Sequence, residues 1–228
     1  MKETITIASF PVTLFDCGGE NLLIQMSDEH EAESLENEVR LIQERSSLPF
    51  TLAAIPVKSW NDDLSPWEAD PVFGKEGFGG KGKEMLGILV NKILPVLKEK
   101  TDARRLILGG YSLAGLFALY GGYECDAFDG IAAASPSVWF DHFTEHYQSQ
   151  TMQAQAVYLS LGDKEKKSRN ARMAKVEDCI HIMRDALTNQ CDCILEMNEG
   201  NHFQNADLRT AKGFAWTLNK IKEKENGI

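Results

Sequence analysis

Apolar positions along this chain switch repeatedly between alternate or unbroken spacing and steps of three and four, and the switches mark out its elements. Residues 4–9 and 11–15 alternate, which predicts two short antiparallel strands, with Gly18-Gly19 as the turn after them. Residues 21–26 read as a third strand and 27–34 as an acidic loop, after which Leu35, Val39 and Ile42 take up helical spacing. A fourth strand over 49–57 is apolar on both faces, as interior parallel strands are. From Lys58 to Gly82 runs a long loop rich in aromatic and turn residues, of a length that in compact domains is usually functional. The next helix begins near Gly82 on Met85, Ile88, Leu89 and Ile93, and Pro95 is expected to kink or end it.

The stretch that follows organises the rest. Leu106-Ile107-Leu108 is the apolar run of a buried strand, broken at Gly109-Gly110. Leu113, Leu116, Phe117 and Tyr120 then resume at helical spacing, closed by Gly121-Gly122. Further strands are predicted over 128–134, 156–161 and 191–197. Between the last two, Met173, Val176, Ile180, Met183 and Leu187 form an amphipathic helix. The final helix is expected to start on Asp207 as N-cap and to carry Leu208, Ala211, Ala215, Leu218 and Ile221 on one face. Strands thus alternate with helices after two antiparallel openers. That predicts an α/β protein with a mostly parallel sheet of about eight strands and helices on both faces. No repeat or linker interrupts the pattern, so residues 1–228 read as one domain.

Composition narrows the class. At 228 residues and 43% hydrophobic, the chain can bury a sizeable core. A net charge of −10 without a basic cluster argues against a nucleic-acid partner. No apolar run is long enough to span a membrane. The start of the chain does not read as a signal peptide, since Glu3 follows Lys2 at once and Pro11 and Asp16 interrupt the short apolar segment. Five scattered cysteines include Cys191-Asp-Cys193, which lacks the spacer of redox or zinc motifs, so free thiols and a cytoplasmic location are expected.

The chemistry centres on Gly110-Tyr111-Ser112-Leu113-Ala114-Gly115. A serine at a sharp strand-to-helix turn has its hydroxyl thrust above the sheet edge, and small residues must flank it because the chain passes close by on either side. The strict pattern has glycine where Ala114 stands. In a parallel sheet the loops leaving the carboxyl ends of strands open on one face. That face collects Ser112, the Gly162-Asp163-Lys164-Glu165 turn and His202, in the order serine, acid, histidine. Of the five histidines, His202 alone follows a strand within a Gly/Asn turn. His181 falls inside the amphipathic helix, and His30 lies on the acidic loop. His142 and His146, four apart beside Asp141 and Glu145, have the spacing of a helical metal pair but no third ligand on a second element, so no metal is expected.

With Gly110-Tyr-Ser112-Leu-Ala-Gly, Ser135-Pro-Ser-Val-Trp139, Gly162-Asp-Lys-Glu165 and Gly200-Asn-His202-Phe, the chain resembles the α/β-hydrolases of the esterase D group. That group includes S-formylglutathione hydrolases, feruloyl esterases and enterochelin-type trilactone esterases. The resemblance implies the α/β-hydrolase fold and a serine hydrolase cleaving a small, partly apolar carboxylic ester or thioester, with Ser112 as nucleophile, His202 as base and no cofactor. It points to Glu165 as the acid, with Asp163 as the alternative and a serine–histidine pair without an acid as a third possibility. One oxyanion donor is expected at the Leu113 N–H, the other at Ser27 or Asp28, although Glu29, Glu31 and Glu33 crowd that loop. Trp60, Trp67, Phe73, Phe78 and Trp139 sit on loops at the same edge and suggest an apolar wall. The acidic loops disfavour an anionic substrate unless Lys58, Arg104 or Arg169 offsets them locally. Two other readings stay open: an acyltransferase using the same site, and a non-catalytic scaffold. The small-molecule ester is the only partner expected, and the oligomeric state is not legible.

Overall fold

A computed structural model gives the structure of residues 1–28, 32–72, 74–225 and 227, with backbone alone at 32 and 33. Its strands are β1 (Lys2–Ile7), β2 (Phe10–Asp16), β3 (Asn21–Ser27), β4 (Thr51–Pro56), β5 (Glu68–Ala69), β6 (Phe78–Gly79), β7 (Arg105–Tyr111), β8 (Gly130–Ala134), β9 (Ala156–Gly162) and β10 (Asp192–Asn198). Its α-helices are α1 (Ala32–Gln43), α2 (Trp60–Asp63), α3 (Gly82–Ile88), α4 (Leu94–Thr101), α5 (Leu113–Glu124), α6 (Phe143–Tyr147), α7 (Val176–Leu187) and α8 (Ala206–Glu225). Eight strands form one sheet in the order β1-β2-β4-β3-β7-β8-β9-β10, and β5 pairs with β6 separately. β2 runs antiparallel to both neighbours, while every pairing from β4 to β10 is parallel.

Interior strands send alternate side chains to opposite faces, so each face builds its own core. Leu22, Ile24 and Met26 of β3 join Leu106 and Leu108 of β7 in a cluster with α5 and the helical run from Met85 to Leu97. Leu23 and Ile107 point the other way, into a cluster with Leu35, Val39 and Ile42 of α1 and Phe214, Ala215 and Leu218 of α8. α5 is buried on all sides, which explains why its apolar residues are not confined to one stripe.

Four expectations about elements change. The helix that begins at Gly82 neither ends nor breaks at Pro95: a π-helical stretch, Leu89–Ile93, leads into α4 with the proline in its first turn. The wider π turn accommodates a residue that has no N–H to give and whose ring would crowd the preceding carbonyls. Gly121 and Gly122 lie inside α5 rather than closing it. A Cβ at Gly122 would stand 2.8 Å from Ile131 Cγ1, so the pair serves close helix–sheet packing. α8 starts at Ala206, which puts Asp207 in the first turn, where it accepts a hydrogen bond from the Asn37 side chain and ties α8 to α1. The 58–82 segment is not a plain loop. Ser59 caps α2, and the β5–β6 pair folds the remainder back on itself. No helix among the described residues is long and apolar enough to cross a membrane.

α8 approaches the sheet closely because glycine faces it. A Cβ at Gly109 would lie 2.7 Å from the Phe214 ring and 2.8 Å from the Ala132 carbonyl oxygen. Gly109→Ala is therefore expected to destabilise the protein by about 1–3 kcal/mol. Gly87→Ala, in α3 with nothing within 4 Å of the new methyl, should be neutral or stabilise by up to about 1 kcal/mol. Urea unfolding of both variants measures the contrast.

Candidate active site

β7 ends at Tyr111 and α5 begins at Leu113, so the reversal falls on Ser112, at φ 58° and ψ −118°. A non-glycine residue there carries strain of about 1–3 kcal/mol and persists only where its surroundings over-determine it. They do so here. The Ser112 N–H donates to the Ala134 carbonyl (3.1 Å), and its own carbonyl accepts from the N–H groups of Leu116 and Ser137 (3.0 Å each). The small neighbours are a steric necessity: a Cβ at Gly110 would meet Ala114 Cβ at 2.6 Å, and one at Gly115 would meet the Gly110 carbonyl oxygen at 3.0 Å. Ala114, fully buried, fits where the strict pattern has glycine.

Parallel pairing of β9 with β10 sets Gly162 opposite Asn198, so the loops beyond them run side by side. His202 Nε2 lies 2.9 Å from Ser112 Oγ, and Nδ1 lies 2.7 Å from Glu165 Oε2. A carboxylate at Nδ1 favours the tautomer protonated there, leaving Nε2 to accept from the serine hydroxyl. Asp163 does not join this chain. Its Oδ1 accepts the Gly200 N–H at 2.8 Å and its own N–H donates to the Asn198 carbonyl at 2.8 Å, so it braces the loop that carries His202.

Glu165 is buried, and its second oxygen accepts from the Gly162 N–H (2.7 Å), the Ser135 hydroxyl (2.8 Å) and Arg209 (2.9 Å). Burial pushes the carboxyl up. The hydrogen bond and charge of His202, with the Gly162 N–H and the Ser135 hydroxyl, outweigh burial and hold the group below the ordinary value. Arg209, 1% exposed, also donates to Tyr111 Oη and Ser135 Oγ (3.1 Å each) and to the carbonyls of Glu199 (3.0 Å) and Asn201 (3.1 Å). Tyr111 Oη in turn donates to the His202 carbonyl at 2.7 Å. Sequence reasoning missed Arg209. Arg209 stands next to Leu208 but off the apolar stripe expected of α8, so no sequence signal marked it.

Leu113 opens α5 directly after Ser112. β3, which ends at Ser27, pairs in parallel with β7 as far as Gln25 opposite Gly109. Ser137 Oγ lies 3.3 Å from Ser112 Oγ. A cleft of about 280 Å³ opens beside His202, with Trp139, Met173, Val176 and Phe203 among its walls. Phe203 was not foreseen; it is 82% exposed and meets the His202 ring edge-on at 5.5 Å.

Trp60, Trp67 and Phe78 stand back from this cleft. Phe78 packs edge-on against Trp139 and Phe140. Trp67 donates its Nε1–H to the Asp141 carbonyl (3.0 Å) and sits among Phe140, Phe143 and Tyr147, while Trp60 packs on the core. These three fasten the 58–82 segment to the body. Phe73, His30, Glu29, Glu31 and the Glu33 side chain lie outside the described residues. His181 is half-buried in α7; His142 precedes α6 and His146 meets Trp67 edge-on at 5.6 Å. Among the described residues no three His, Cys, Asp or Glu side chains are grouped to hold a metal. A larger cavity, about 1070 Å³, lies around Asn21, Arg104 and Arg105 and holds none of the residues of the Ser112–His202–Glu165 chain.

An eight-stranded sheet in this order, reversed only at its second strand and with a strained serine after its fifth member in chain order, has the α/β-hydrolase fold. Solved structures with this fold that are similar to the chain include the siderophore hydrolase EstA from Aspergillus nidulans (17% identity, 96% of this chain and 94% of that one, TM-score 0.76). The IroE-like serine hydrolase from Shewanella oneidensis is similar too (13%, 95% and 79%, TM-score 0.73), as is the Pyrococcus furiosus esterase Pf2001 (11%, 98% and 91%, TM-score 0.62). No family model matches the sequence, and no curated protein does.

The Glu165 network predicts a pH signature. A carboxyl with a lowered folded-state pKa contributes stability in full above its unfolded value, and the contribution vanishes as pH falls through the folded value. Denaturant titrations from neutral pH downward should show this loss in the wild type and not in Glu165→Gln, which starts less stable. Arg209→Met, which leaves a buried carboxylate short of its cation, is expected to cost about 3–5 kcal/mol at neutral pH in the same assay.

Proposed function

We propose that this protein is a serine hydrolase that cleaves carboxylic esters or thioesters through an acyl-serine intermediate. The hydrogen-bonded chain from Ser112 through His202 to Glu165, starting at a strained strand-to-helix turn, carries the reading. Serine is a weak nucleophile until a base takes its proton, and imidazole is suited to that at neutral pH. In the proposed course, Ser112 Oγ attacks the carbonyl carbon as its proton passes to His202 Nε2. The tetrahedral oxyanion is met by the Leu113 N–H and a second N–H from Ser27 or Asp28. Collapse expels the alcohol or thiol, which leaves with the proton from His202. Water, deprotonated by the same imidazole, then attacks the acyl-serine and releases the acid. Glu165 fixes the tautomer and stabilises the imidazolium, and Arg209 and Tyr111 hold acid and base in register. Structural likeness to proteins described as siderophore hydrolase, serine hydrolase and esterase supports the reading.

A fluorophosphonate probe should label the wild type at one equivalent, and Ser112→Ala should abolish the labelling. A wild type that stays unlabelled would favour the scaffold reading. With nitrophenyl esters, Glu165→Gln is expected to lower kcat by about a thousandfold or more. Asp163→Asn, which disturbs only the brace of the histidine loop, should lower it far less. Equal or reversed losses would transfer the acid's role to Asp163.

A further inference from the structure

The protein carries a net charge of −10, yet the cleft beside His202 is lined by three cations, Lys164, Lys167 and Arg169. Most basic side chains elsewhere are spoken for: Lys166, in the same loop, pairs with Glu177, and Arg172 pairs with Asp141. Lys164, Lys167 and Arg169 have no ion pair among the described residues. The single carboxylate on the cleft wall is Glu165, whose two oxygens are consumed by His202, Gly162, Ser135 and Arg209. Of the cations considered from sequence as local offsets, Arg104 pairs with Glu20 at the far cavity and Lys58 lies over the Phe10 ring. Arg169 alone reaches the cleft.

The loop holding these cations is built rather than loose. Asn170 donates to the Val72 carbonyl (3.0 Å) and its side-chain oxygen accepts the N–H groups of Arg172 (2.9 Å) and Met173 (3.3 Å). Arg172 donates to the Asp70 carbonyl at 2.8 Å. The same cleft is lined by Trp139, Met173, Val176 and the exposed Phe203. Apolar walls and uncompensated positive charge in one cleft match a ligand with an apolar body ending in an anion.

We infer that the substrate is an ester bearing a carboxylate or similar anionic group on an apolar arm, and that Lys164, Lys167 and Arg169 recognise the anion. The inference rests on the hydrolase reading for the word substrate, while the anion site itself does not. Binding of 4-phenylbutyrate and its neutral isostere 4-phenylbutanamide, measured by calorimetry at low salt, tests the site without any chemistry. The carboxylate should bind about tenfold more tightly, as expected when several exposed ion pairs of modest individual worth add up. The preference should shrink as salt rises. It should collapse toward unity in Lys164→Met/Lys167→Met/Arg169→Met and persist in Lys166→Met. Equal affinities, no measurable binding of the carboxylate, or a preference that survives the triple substitution would overturn the inference. Turnover of 4-nitrophenyl hemiglutarate against 4-nitrophenyl valerate separates the two ideas. If both esters are cleaved with no preference for the anionic one, the anion site fails and the hydrolase stands. If neither is cleaved while 4-phenylbutyrate still binds selectively, the hydrolase reading fails and the anion site stands.

Discussion

A carboxylate buried to the extent of Glu165 exists as an anion only if the protein replaces the water it has lost, and much of the site follows from how that is done. The donors come from four separate places: the end of β9, the turn after β8, the first turns of α8 and the histidine itself. Each of those elements is fixed by sheet pairing or core packing, so satisfying one charge also fixes their relative positions. Arg209 does the most in this respect, because the same guanidinium that faces Glu165 also holds two carbonyls of the loop bearing His202. The strained Ser112 is held from the other side, by the backbone of β8 and the Ser135–Trp139 turn. Glu165, His202 and Ser112 thus belong to one hydrogen-bonded framework rather than to three independent loops.

Much of this was legible in the chain, for identifiable reasons. The turn at Ser112 announces itself because steric crowding admits only small residues at 110, 114 and 115, and that constraint is local. The strands were legible because interior parallel strands read as apolar runs, and helices α1 and α7 because each buries a single stripe. The preference for Glu165 over Asp163 came from the resemblance and not from the local pattern, since both sit in one charged turn and it is the fold that brings Glu165 to the imidazole and Asp163 to the Gly200 N–H. Arg209 escaped notice because a buried cation has no pattern of its own; its burial depends on a partner 44 positions away. The 58–82 segment was read as a loop because two-residue strands are too short to display any period. Pro95 misled for a related reason: a π turn in the preceding residues leaves no mark in apolar spacing.

The aromatic residues show where a compositional argument stops. Trp60, Trp67 and Phe78 do lie on segments at the expected edge, but bulky rings there have two uses, lining a cleft and anchoring an excursion. Here the anchoring use takes all three, leaving the cleft to Trp139 and the exposed Phe203. Charge behaves in the same way. A chain that is acidic overall still presents a cationic surface to whatever enters beside His202, because pairing neutralises basic groups selectively.

β10 is the last strand of the sheet and has β9 as its sole neighbour, while β7, which delivers Ser112, lies in the interior between β3 and β8. Ser112 and His202 therefore sit on ground of unequal firmness. Fraying of the outer margin would carry the imidazole away while leaving the hydroxyl in place, and the clamp from α8 stands in for the missing strand on that side. Loss of the Ser112–His202 contact can thus precede global melting, as a local opening confined to one border of the molecule.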